Sequence, residues 1–327
     1  MSASTTRKVS ASTTPEPESS RGAGEPARPR TTLCLGEALV DLICERPVDD
    51  LARAEAFVPR FGGAVANAAV VAARDGARVA LAGGAGEDSW GRWLRERLQD
   101  AGVELSWFEL LAGAKTPIAL VSVDAAGEPS YQIYGETIAT VLHVLGERVE
   151  DALSASAALF FGSNTLVHSD EREVTMRARE LALELERPVL FDPNLRLHRW
   201  RSHAEAAASA NACVPGALLV RATGAEAALM TGEQDPERAA SALLKAGARM
   251  VVLTLGARGA ILRGELRVNA PGVETKVRST IGAGDVLSGI LLAKLARSDF
   301  YPPALAAALP EAVKRSAQAC ERWGALE

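Results

Sequence analysis

The chain has 327 residues, 48% of them hydrophobic and 24% charged, which is an ordinary composition for a globular protein with one large α/β domain or two smaller ones. A net charge of −5 gives no electrostatic reason to expect nucleic acid as a partner. No apolar run approaches the roughly 20 residues that a membrane span needs, so we also expect no membrane partner.

The first 30 residues are rich in Ser, Thr, Pro and Gly and lack the apolar core of a secretory signal. This composition predicts a disordered tail at residues 1–30, followed by one folded domain at 31–327.

The cysteines are far apart, without CxxC or zinc-ligand spacing: Cys34, Cys44, Cys213 and Cys320. They favour buried, reduced thiols and a cytoplasmic location.

The first apolar run, "TTLCLGEALVDLI", predicts one buried strand with Asp41 at its end. A Gly-Gly turn then precedes an Ala/Val-rich helix, the strand "ARVALAG" and a second helix, which Asp88 or Ser89 could cap. The apolar face of this second helix would carry Trp90, Trp93, Leu94 and Leu98. We interpret the two tryptophans as core residues rather than as ligand-stacking groups.

The stretch "TPIALVSVDAAGEPSYQIYG" alternates and contains turn signals, which predicts antiparallel strands. Beyond it, the strand-like runs "ALFFGS", "PVLFDPN", "ALLVRAT" and "MVVLTLG" are separated by helical segments such as "EVTMRARELALELE" and "PERAASALLKAGA". This alternation predicts a mostly parallel sheet covered by helices on both faces. Ligands bind such sheets at the carboxyl ends of the strands.

The segment "STIGAGDVLSG" places a Gly-Ala-Gly run directly before Asp285 and a helical pattern. Backbone amides at a helix start, unobstructed by side chains, form a site for a phosphate. A carboxylate beside such a site could take a proton from an attacking hydroxyl. Alternatively, Asp285 merely caps the helix and the glycines merely turn the chain. No Walker A motif is present and no GxGxxG follows the first strand, which disfavours a P-loop NTPase and a dinucleotide dehydrogenase.

Two segments together, "STIGAGDVLSG" and "FGGAVANAAVVAARDGARVALAGGAGEDSWG", resemble the two signatures of the PfkB (ribokinase-like) carbohydrate kinases. The motifs "GEALVDLI", "FDPNLRLHRW" and "VVLTLGARGAIL" also look like this family, particularly its fructokinase and 2-keto-3-deoxygluconate kinase branches. The resemblance runs from about Thr31 to Ala325. It implies a three-layer αβα sandwich with a mostly parallel sheet and a small β-strand lid, contributed by about 42–61 and 112–136.

The implied activity is ATP-dependent transfer of the γ-phosphate to a primary hydroxyl of a small sugar or sugar acid, with Mg²⁺ as cofactor. Asp285 would be the catalytic base, and the amides of Gly282, Ala283 and Gly284 would form the anion hole. The residues implied to bind the sugar are Asp41, Gly62, Gly63, Asn67, Glu136 and Arg196. Those implied near ATP are Asn194, Thr223, Thr254, Gly256 and Gly259. Glu226 would organise magnesium, mostly through water.

Three positions depart from the family pattern. Ser279 stands where an aspartate that often helps hold a monovalent cation is common, so potassium activation stays open. Thr223 replaces the asparagine of an NxxE motif, and Gly135 ends a run that is often Phe-Tyr-Arg. These changes leave an alternative: a degenerate member that binds sugar or nucleotide without kinase activity. The family's lids can serve as dimer interfaces, which makes a homodimer one candidate assembly.

Overall fold

A computed structural model describes Met1, residues 30–135, residue 143 and residues 145–326. Most of the predicted tail and Glu136 therefore lie outside the described residues. The strands are β1 (Thr32–Leu35), β2 (Leu39–Cys44), β3 (Phe57–Gly62), β4 (Val79–Gly86), β5 (Phe108–Leu111), β6 (Ile118–Val123), β7 (Pro129–Tyr134), β8 (Ala158–Gly162), β9 (Val189–Asp192), β10 (Leu219–Thr223), β11 (Met250–Thr254), β12 (Ala260–Gly264) and β13 (Val268–Ala270). The α-helices are α1 (Ala64–Arg74), α2 (Ser89–Asp100), α3 (Val149–Ser154), α4 (Ser169–Glu184), α5 (His203–Asn211), α6 (Gly224–Thr231), α7 (Pro236–Lys245), α8 (Ala283–Arg297) and α9 (Ala304–Ala319).

Nine strands form the main sheet in the order β13-β12-β11-β10-β9-β8-β1-β4-β5. Its pairs are parallel except at the β11-β12-β13 edge, where they are antiparallel. Side chains alternate between two cores: Cys34 lies in one with α1, α2, α8 and α9, whereas Leu33 and Leu35 lie in the other with α3–α7. The apolar runs are buried on both faces, and the predicted α/β sandwich is confirmed.

The remaining four strands form a separate small sheet in the order β3-β2-β6-β7, which we call the lid sheet. β2 pairs antiparallel with β3 and parallel with β6, and β6 pairs antiparallel with β7. The antiparallel pair predicted from "TPIALVSVDAAGEPSYQIYG" is therefore confirmed. A third apolar cluster, which includes Ile43, Val121 and Ile281, joins the lid sheet to the segment before α8.

The first apolar run is not one strand, as its composition predicts, but two strands in different sheets. β1 belongs to the main sheet, and after Gly36 the chain turns into β2 of the lid sheet. A Cβ atom at Gly36 would lie 2.6 Å from Cγ2 of Val65, so only glycine lets the chain pass this closely over α1. Asp41 consequently lies inside β2, not at the end of the first strand.

Local signals locate most helices well. Asp88 is the N-cap of α2 and accepts the Gly91 amide at 2.9 Å, as predicted. On the same helix Leu94 and Leu98 are fully buried, and the half-buried Trp90 and Trp93 pack edge to face.

The cysteines are all free thiols. Within the described residues, helices fall short of the length and apolarity that a bilayer crossing demands.

Candidate active site

Three neighbouring strands of the main sheet end in polar residues at one edge. Asp192 closes β9, Thr223 closes β10 and Thr254 closes β11. These strands are parallel and adjacent, so their carboxyl ends open into one cleft. The N-terminus of α8 also lies here, because its Asp285 bonds Asn194, two residues beyond β9.

The Gly-Ala-Gly run begins α8. Gly282 is its N-cap in a left-handed conformation (φ 71°), and no side chain caps the helix. The first-turn amides have no acceptor within the helix, and the helix dipole adds partial positive charge there. Ala283 N makes only a long bond, 3.3 Å, to the Thr280 carbonyl. This phosphate-loop segment, residues 282–284, therefore has the chemistry of an anion site.

Asp285 is 6% exposed, and its two oxygens are held by side-chain amides from opposite sides. Asn67 Nδ2 on α1 donates to Oδ2 at 2.8 Å, and Asn194 Nδ2 donates to Oδ1 at 3.1 Å. The interpretation of Asp285 as a simple helix cap is therefore wrong. Burial raises the pKa of Asp285, while the Asn67 bond and the charges of Arg196 and Arg221 act to lower it.

Asn194 adopts a left-handed backbone conformation (φ 41°) in the "DPNLR" turn. Such a conformation is uncommon outside glycine, and asparagine tolerates it best. The turn directs its amide to Asp285, and the Oδ1 atoms of Asn194 and Asn67 are buried without a hydrogen-bond donor in the described chain. Buried acceptors without donors are uncommon, and a sugar hydroxyl or a water molecule could supply the missing bonds.

Asp41, on the lid sheet, is a second buried carboxylate at this cleft. Gly62 pairs with Leu39 on the neighbouring strand, and a Cβ atom at Gly62 would lie 2.5 Å from the Asp41 carboxylate, so the carboxylate occupies the space that a side chain would take. Burial, followed by the charge of Asp285, raises the pKa of Asp41 to about 8, and Arg196 partly opposes the shift. Arg196 stacks over the ring of Tyr131 at 4.6 Å.

Gly63, the second glycine of the turn, has φ 100° and begins α1 as its N-cap. Glu37 holds this turn, because its Oε1 accepts the Ala64 amide at 2.9 Å and Asn164 Nδ2 at 2.8 Å. Sequence reasoning did not single out Glu37. The sequence offers one signal for Glu37, which is a carboxylate placed just after the first strand.

Glu226 has both carboxylate oxygens engaged by the protein. Oε1 accepts the Leu195 amide at 2.7 Å, and Oε2 accepts the amide and hydroxyl of Thr223 at 2.7 and 2.8 Å. Thr223 thus forms a capping box with Glu226, which explains how threonine serves in place of asparagine. In the described residues no three His, Cys, Asp or Glu side chains cluster to hold a metal directly. Oε1 of Glu226 accepts one hydrogen bond and could accept a second from a water molecule of a hydrated Mg²⁺.

Arg221, Asp192 and Ser288 form a buried polar group beneath the phosphate-loop segment. Arg221 Nη1 donates to Asp192 Oδ2 at 3.2 Å, and Ser288 Oγ donates to the same oxygen at 2.5 Å. Sequence reasoning missed all three residues. A charge inside the apolar run "ALLVRAT" was the signal for Arg221, and Ser288 lies one helical turn after Asp285.

The other sequence-predicted positions lie at the ends of neighbouring elements. Thr254 accepts a bond from Arg221 Nη2 at 3.2 Å, and Gly256 and Gly259 bound the turn between β11 and β12. Gly259 has φ 91°, and a Cβ there would lie 2.1 Å from the Ala270 carbonyl oxygen. Gly135 has φ 115° and faces Pro117, so the family's longer side chain at this position would not fit this backbone.

The C-terminal segment closes the phosphate-loop segment from outside. The Cys320 carbonyl accepts the amides of Arg278 and Ser279, at 2.8 and 3.2 Å. A Cβ atom at Gly282 would lie 2.0 Å from Cβ of Ala325, so these two residues are in direct contact. Ser279 is fully buried, and its hydroxyl accepts the Ile281 amide at 3.1 Å.

Comparison with known proteins gives a consistent result. The profile of the pfkB family carbohydrate kinases matches residues 30–325. Fructokinase-1 of Oryza sativa subsp. japonica is 31% identical over 270 residues, which is 82% of this chain and 84% of the relative.

Solved structures agree. A fructokinase double mutant from Vibrio cholerae O395, in a form with fructose, ADP and potassium ion bound, has a TM-score of 0.78 at 26% identity and covers 90% of this chain and 94% of its own. An aminoimidazole riboside kinase from Salmonella enterica, complexed with aminoimidazole riboside and an ATP analogue, has a TM-score of 0.74 at 26% identity, with coverages of 90% and 95%.

Proposed function

The chain belongs to the pfkB family of carbohydrate kinases and is a sugar kinase, and from this premise we propose that it transfers the γ-phosphate of ATP to a primary hydroxyl of a ketohexose, with fructose as the first candidate. One observation carries the proposal. Asp285 is a buried carboxylate at the start of α8, next to first-turn amides that have no acceptor within the helix, and its charge raises the pKa of Asp41. No finding favours the degenerate, non-catalytic alternative.

In this proposal Asp285 takes the proton of the attacking hydroxyl. Its raised pKa makes it a better proton acceptor than an ordinary aspartate, and the two asparagine amides keep its oxygens in place. The amides of Gly282, Ala283 and Gly284 stabilise charge on the phosphoryl group as it passes between oxygens. The bond from the γ-phosphorus to the ADP oxygen breaks as the bond to the sugar oxygen forms.

The sugar would lie between the lid sheet and α1. Asp41 accepts hydrogen bonds from sugar hydroxyls, the Gly62-Gly63 turn lets the sugar approach the backbone, and Asn67 has a free Oδ1 for a further hydroxyl. Arg196, held by Tyr131, supplies positive charge to a sugar oxygen or to the carboxylate of a sugar acid. Glu136, proposed as a further sugar contact, lies outside the described residues.

The nucleotide would lie along the carboxyl ends of β9–β11, against the loops that carry Asn194, Thr223, Thr254, Gly256 and Gly259. Mg²⁺, when bound, neutralises phosphate charge, and Glu226 would hold its water shell. The carboxylate of Glu226 also fixes the "DPNLR" turn through the Leu195 amide, so it connects the metal position to Asn194 and Asp285. Fructokinases solved with ATP or ADP bound support nucleotide binding by this chain.

The test is a coupled assay of ADP release with fructose, 2-keto-3-deoxygluconate, ribose and nucleosides as acceptors. We expect turnover with fructose to exceed turnover with ribose and nucleosides. The panel is run in potassium and in choline salts, because Ser279 brings no carboxylate to the position that often binds a monovalent cation. Nucleotide binding without turnover on any acceptor would contradict the proposal.

Replacing Asp285 with asparagine provides the residue-level test. We expect Asp285→Asn to lower kcat by about 10²- to 10⁴-fold, the usual contribution of a general base. Asparagine keeps the shape of the side chain, so ADP affinity should stay close to wild type, and the melting temperature should not fall, because a buried charge is removed. Wild-type kcat/KM should fall as pH drops through the raised pKa of Asp285, with an acid limb above the usual range of aspartate. Near-normal turnover of the variant would remove Asp285 from this role.

A cytoplasmic location and a homodimer remain proposals. Free thiols, three of them buried, support a reducing compartment. Tyr134, on the edge strand β7 of the lid sheet, is 56% exposed and would suit a self-association surface. Sedimentation of the wild type and of Tyr134→Lys tests the assembly.

A further inference from the structure

Arg221 is a buried cation that no step above requires. It lies on β10 between the fully apolar positions Val220 and Ala222, and it is 5% exposed. Its guanidinium donates to Asp192 at 3.2 Å and to Thr254 Oγ1 at 3.2 Å. Its Nε is buried with no acceptor in the described part of the chain. Burying such an ion pair costs desolvation energy, and apolar residues of similar volume are often at least as stable.

The guanidinium lies directly against the phosphate-loop segment. A Cβ atom at Gly284 would be 2.9 Å from both Nη atoms and 3.2 Å from Cζ. Glycine at position 284 therefore leaves the space that the guanidinium occupies. A full positive charge thus lies under amides that already carry partial positive charge, in a part of the protein where water screens little.

Asp192 and Ser288 hold this arrangement in register. Asp192 closes β9, accepts from Arg221 on β10 and accepts from Ser288 in the second turn of α8. Two strands and the phosphate-binding helix are therefore joined by one carboxylate. Without an anion above it, the cation is satisfied only in part, because one carboxylate and one hydroxyl face a group with five N–H donors.

We propose that Arg221 is a positioning residue for phosphoryl transfer: it supports the phosphate-loop segment from below and favours binding of the terminal phosphate of ATP. This inference rests on the proposed kinase function. It predicts a preference for ATP over ADP that depends in part on Arg221, a residue outside the phosphate-loop segment.

The experiment compares the affinity for β,γ-imido ATP with the affinity for ADP, by calorimetry in the presence of Mg²⁺. Arg221→Met should weaken the imido analogue by roughly 10- to 100-fold relative to ADP, the range for losing interactions with a charged group. Arg221→Lys, which keeps the cation, should recover most of that preference. KM for the sugar should change by less than about twofold, because Asp41 and Asn67 are untouched.

Two further variants separate this role from mere structural support. Arg221→Met leaves the buried charge of Asp192 without a partner, which could destabilise the protein. The double variant Arg221→Met, Asp192→Asn removes both charges and should therefore fold even if the single variant does not. Arg179→Met removes another buried arginine, one that bonds the carbonyls of Cys213 and Pro215 far from the cleft, and should leave the ATP-over-ADP preference unchanged.

An unchanged preference in folded Arg221 variants would overturn the proposal. An equal loss of affinity for the imido analogue, ADP and sugar would also overturn it, because that pattern indicates general damage. Binding is measured without turnover, so the result stands apart from the acceptor panel. If no sugar is phosphorylated, the kinase proposal fails while the nucleotide preference can still be read.

Discussion

Two buried carboxylates lie at this cleft: the charge of Asp285 raises the pKa of Asp41, and the charge of Arg196 lowers the pKa of both. Each raises the free energy of the other's ionised form, and one guanidinium does not balance both. Ionised groups in such a place lower stability, so a protein retains them only where they serve a purpose. At the scale of single residues, the buried carboxylates of the cleft lower the free energy of unfolding and supply reactive groups.

This cost leads to a prediction about pH. The pKa of Asp41 is about 8 in the folded protein and about 3.9 in an unfolded chain, so the folded state binds the extra proton between these values. The free energy of unfolding should therefore fall as pH rises from 4 to 8. Asp41→Asn should remove part of this slope and raise the melting temperature of the ligand-free protein most at pH 8.

The same variant should lose function. With a pKa of about 8, Asp41 is mostly neutral at pH 7, and a neutral hydrogen bond contributes about 0.5–1.5 kcal/mol, so kcat/KM for the sugar should fall about 2- to 10-fold. Asp100→Asn, at the exposed end of α2, is the matched control and should alter neither the slope nor the activity. Thermal melts from pH 5 to 8 decide the matter, and an unaltered slope in Asp41→Asn would contradict the assignment.

At the scale of elements, α8 depends on a glycine that meets another part of the chain. Gly282 has φ 71° and touches Ala325, so Gly282→Ala combines a left-handed alanine with a collision. Gly232, which ends α6 with φ 77°, has nothing within 4 Å of an added Cβ. Gly232→Ala therefore measures the backbone cost alone, about 1–2 kcal/mol.

We expect Gly282→Ala to be less stable than Gly232→Ala and to raise KM for ATP about tenfold or more, because the first-turn amides move. Gly232→Ala should keep the KM of the wild type. Chemical denaturation and initial-rate kinetics on the two variants provide the measurement. Equal losses of stability in Gly282→Ala and Gly232→Ala would show that Ala325 moves aside without an energetic cost.

Sequence patterns predict elements well where the signal is local. The N-cap of α2, the start of α8 and the antiparallel pair β6-β7 depend on neighbouring residues, and all were predictable. The split of "TTLCLGEALVDLI" was not, because two consecutive buried strands look like one apolar run. What separates them is the contact between Gly36 and Val65, which exists only after folding.

Site contacts follow the same division. The acid at position 285 and the glycines before it stand in one motif, whereas the Asn67–Asp285 bond joins residues 218 positions apart. The resemblance implied that Asn67 contacts the sugar, but no pattern indicated that its amide holds the carboxylate of Asp285. Arg221 was equally hidden, because a charge within an apolar strand indicates burial with a partner but does not name the partner.

At the scale of the whole molecule, the lid sheet is tied to the phosphate-loop segment. The Gly127 carbonyl at the β6-β7 turn accepts the Thr280 amide at 2.8 Å, and Glu128 accepts its hydroxyl at 3.1 Å. The lid sheet and the phosphate-loop segment therefore meet at Thr280, two residues before Gly282. Closing a site in this way excludes water from the transferring phosphoryl.

Loosening that contact should let water compete with the sugar. Gly127 has φ 86°, and a Cβ there would lie 2.9 Å from Cγ1 of Val277 and 3.2 Å from the Arg278 carbonyl oxygen, so Gly127→Ala should push the turn away. We expect ADP formation without sugar to rise relative to sugar phosphorylation, by about two- to tenfold for a contact worth ~1 kcal/mol.

Gly113→Ala is the matched control for this test, because Gly113 also has a positive φ (79°) but nothing within 4 Å. ADP release is measured with and without fructose for both variants. An identical ratio of hydrolysis to phosphorylation in the two variants would contradict the prediction, because it would show that the contact between Gly127 and Thr280 does not control the access of water.

The contact between Gly282 and Ala325 also fixes an order of events during synthesis. The ribosome releases β1–β7 and α1 long before it releases residues 320–326. A nascent chain that still lacks Ala325 leaves one wall of the phosphate-loop segment missing. An unfinished polypeptide should therefore bind ATP poorly until residues 320–326 have emerged.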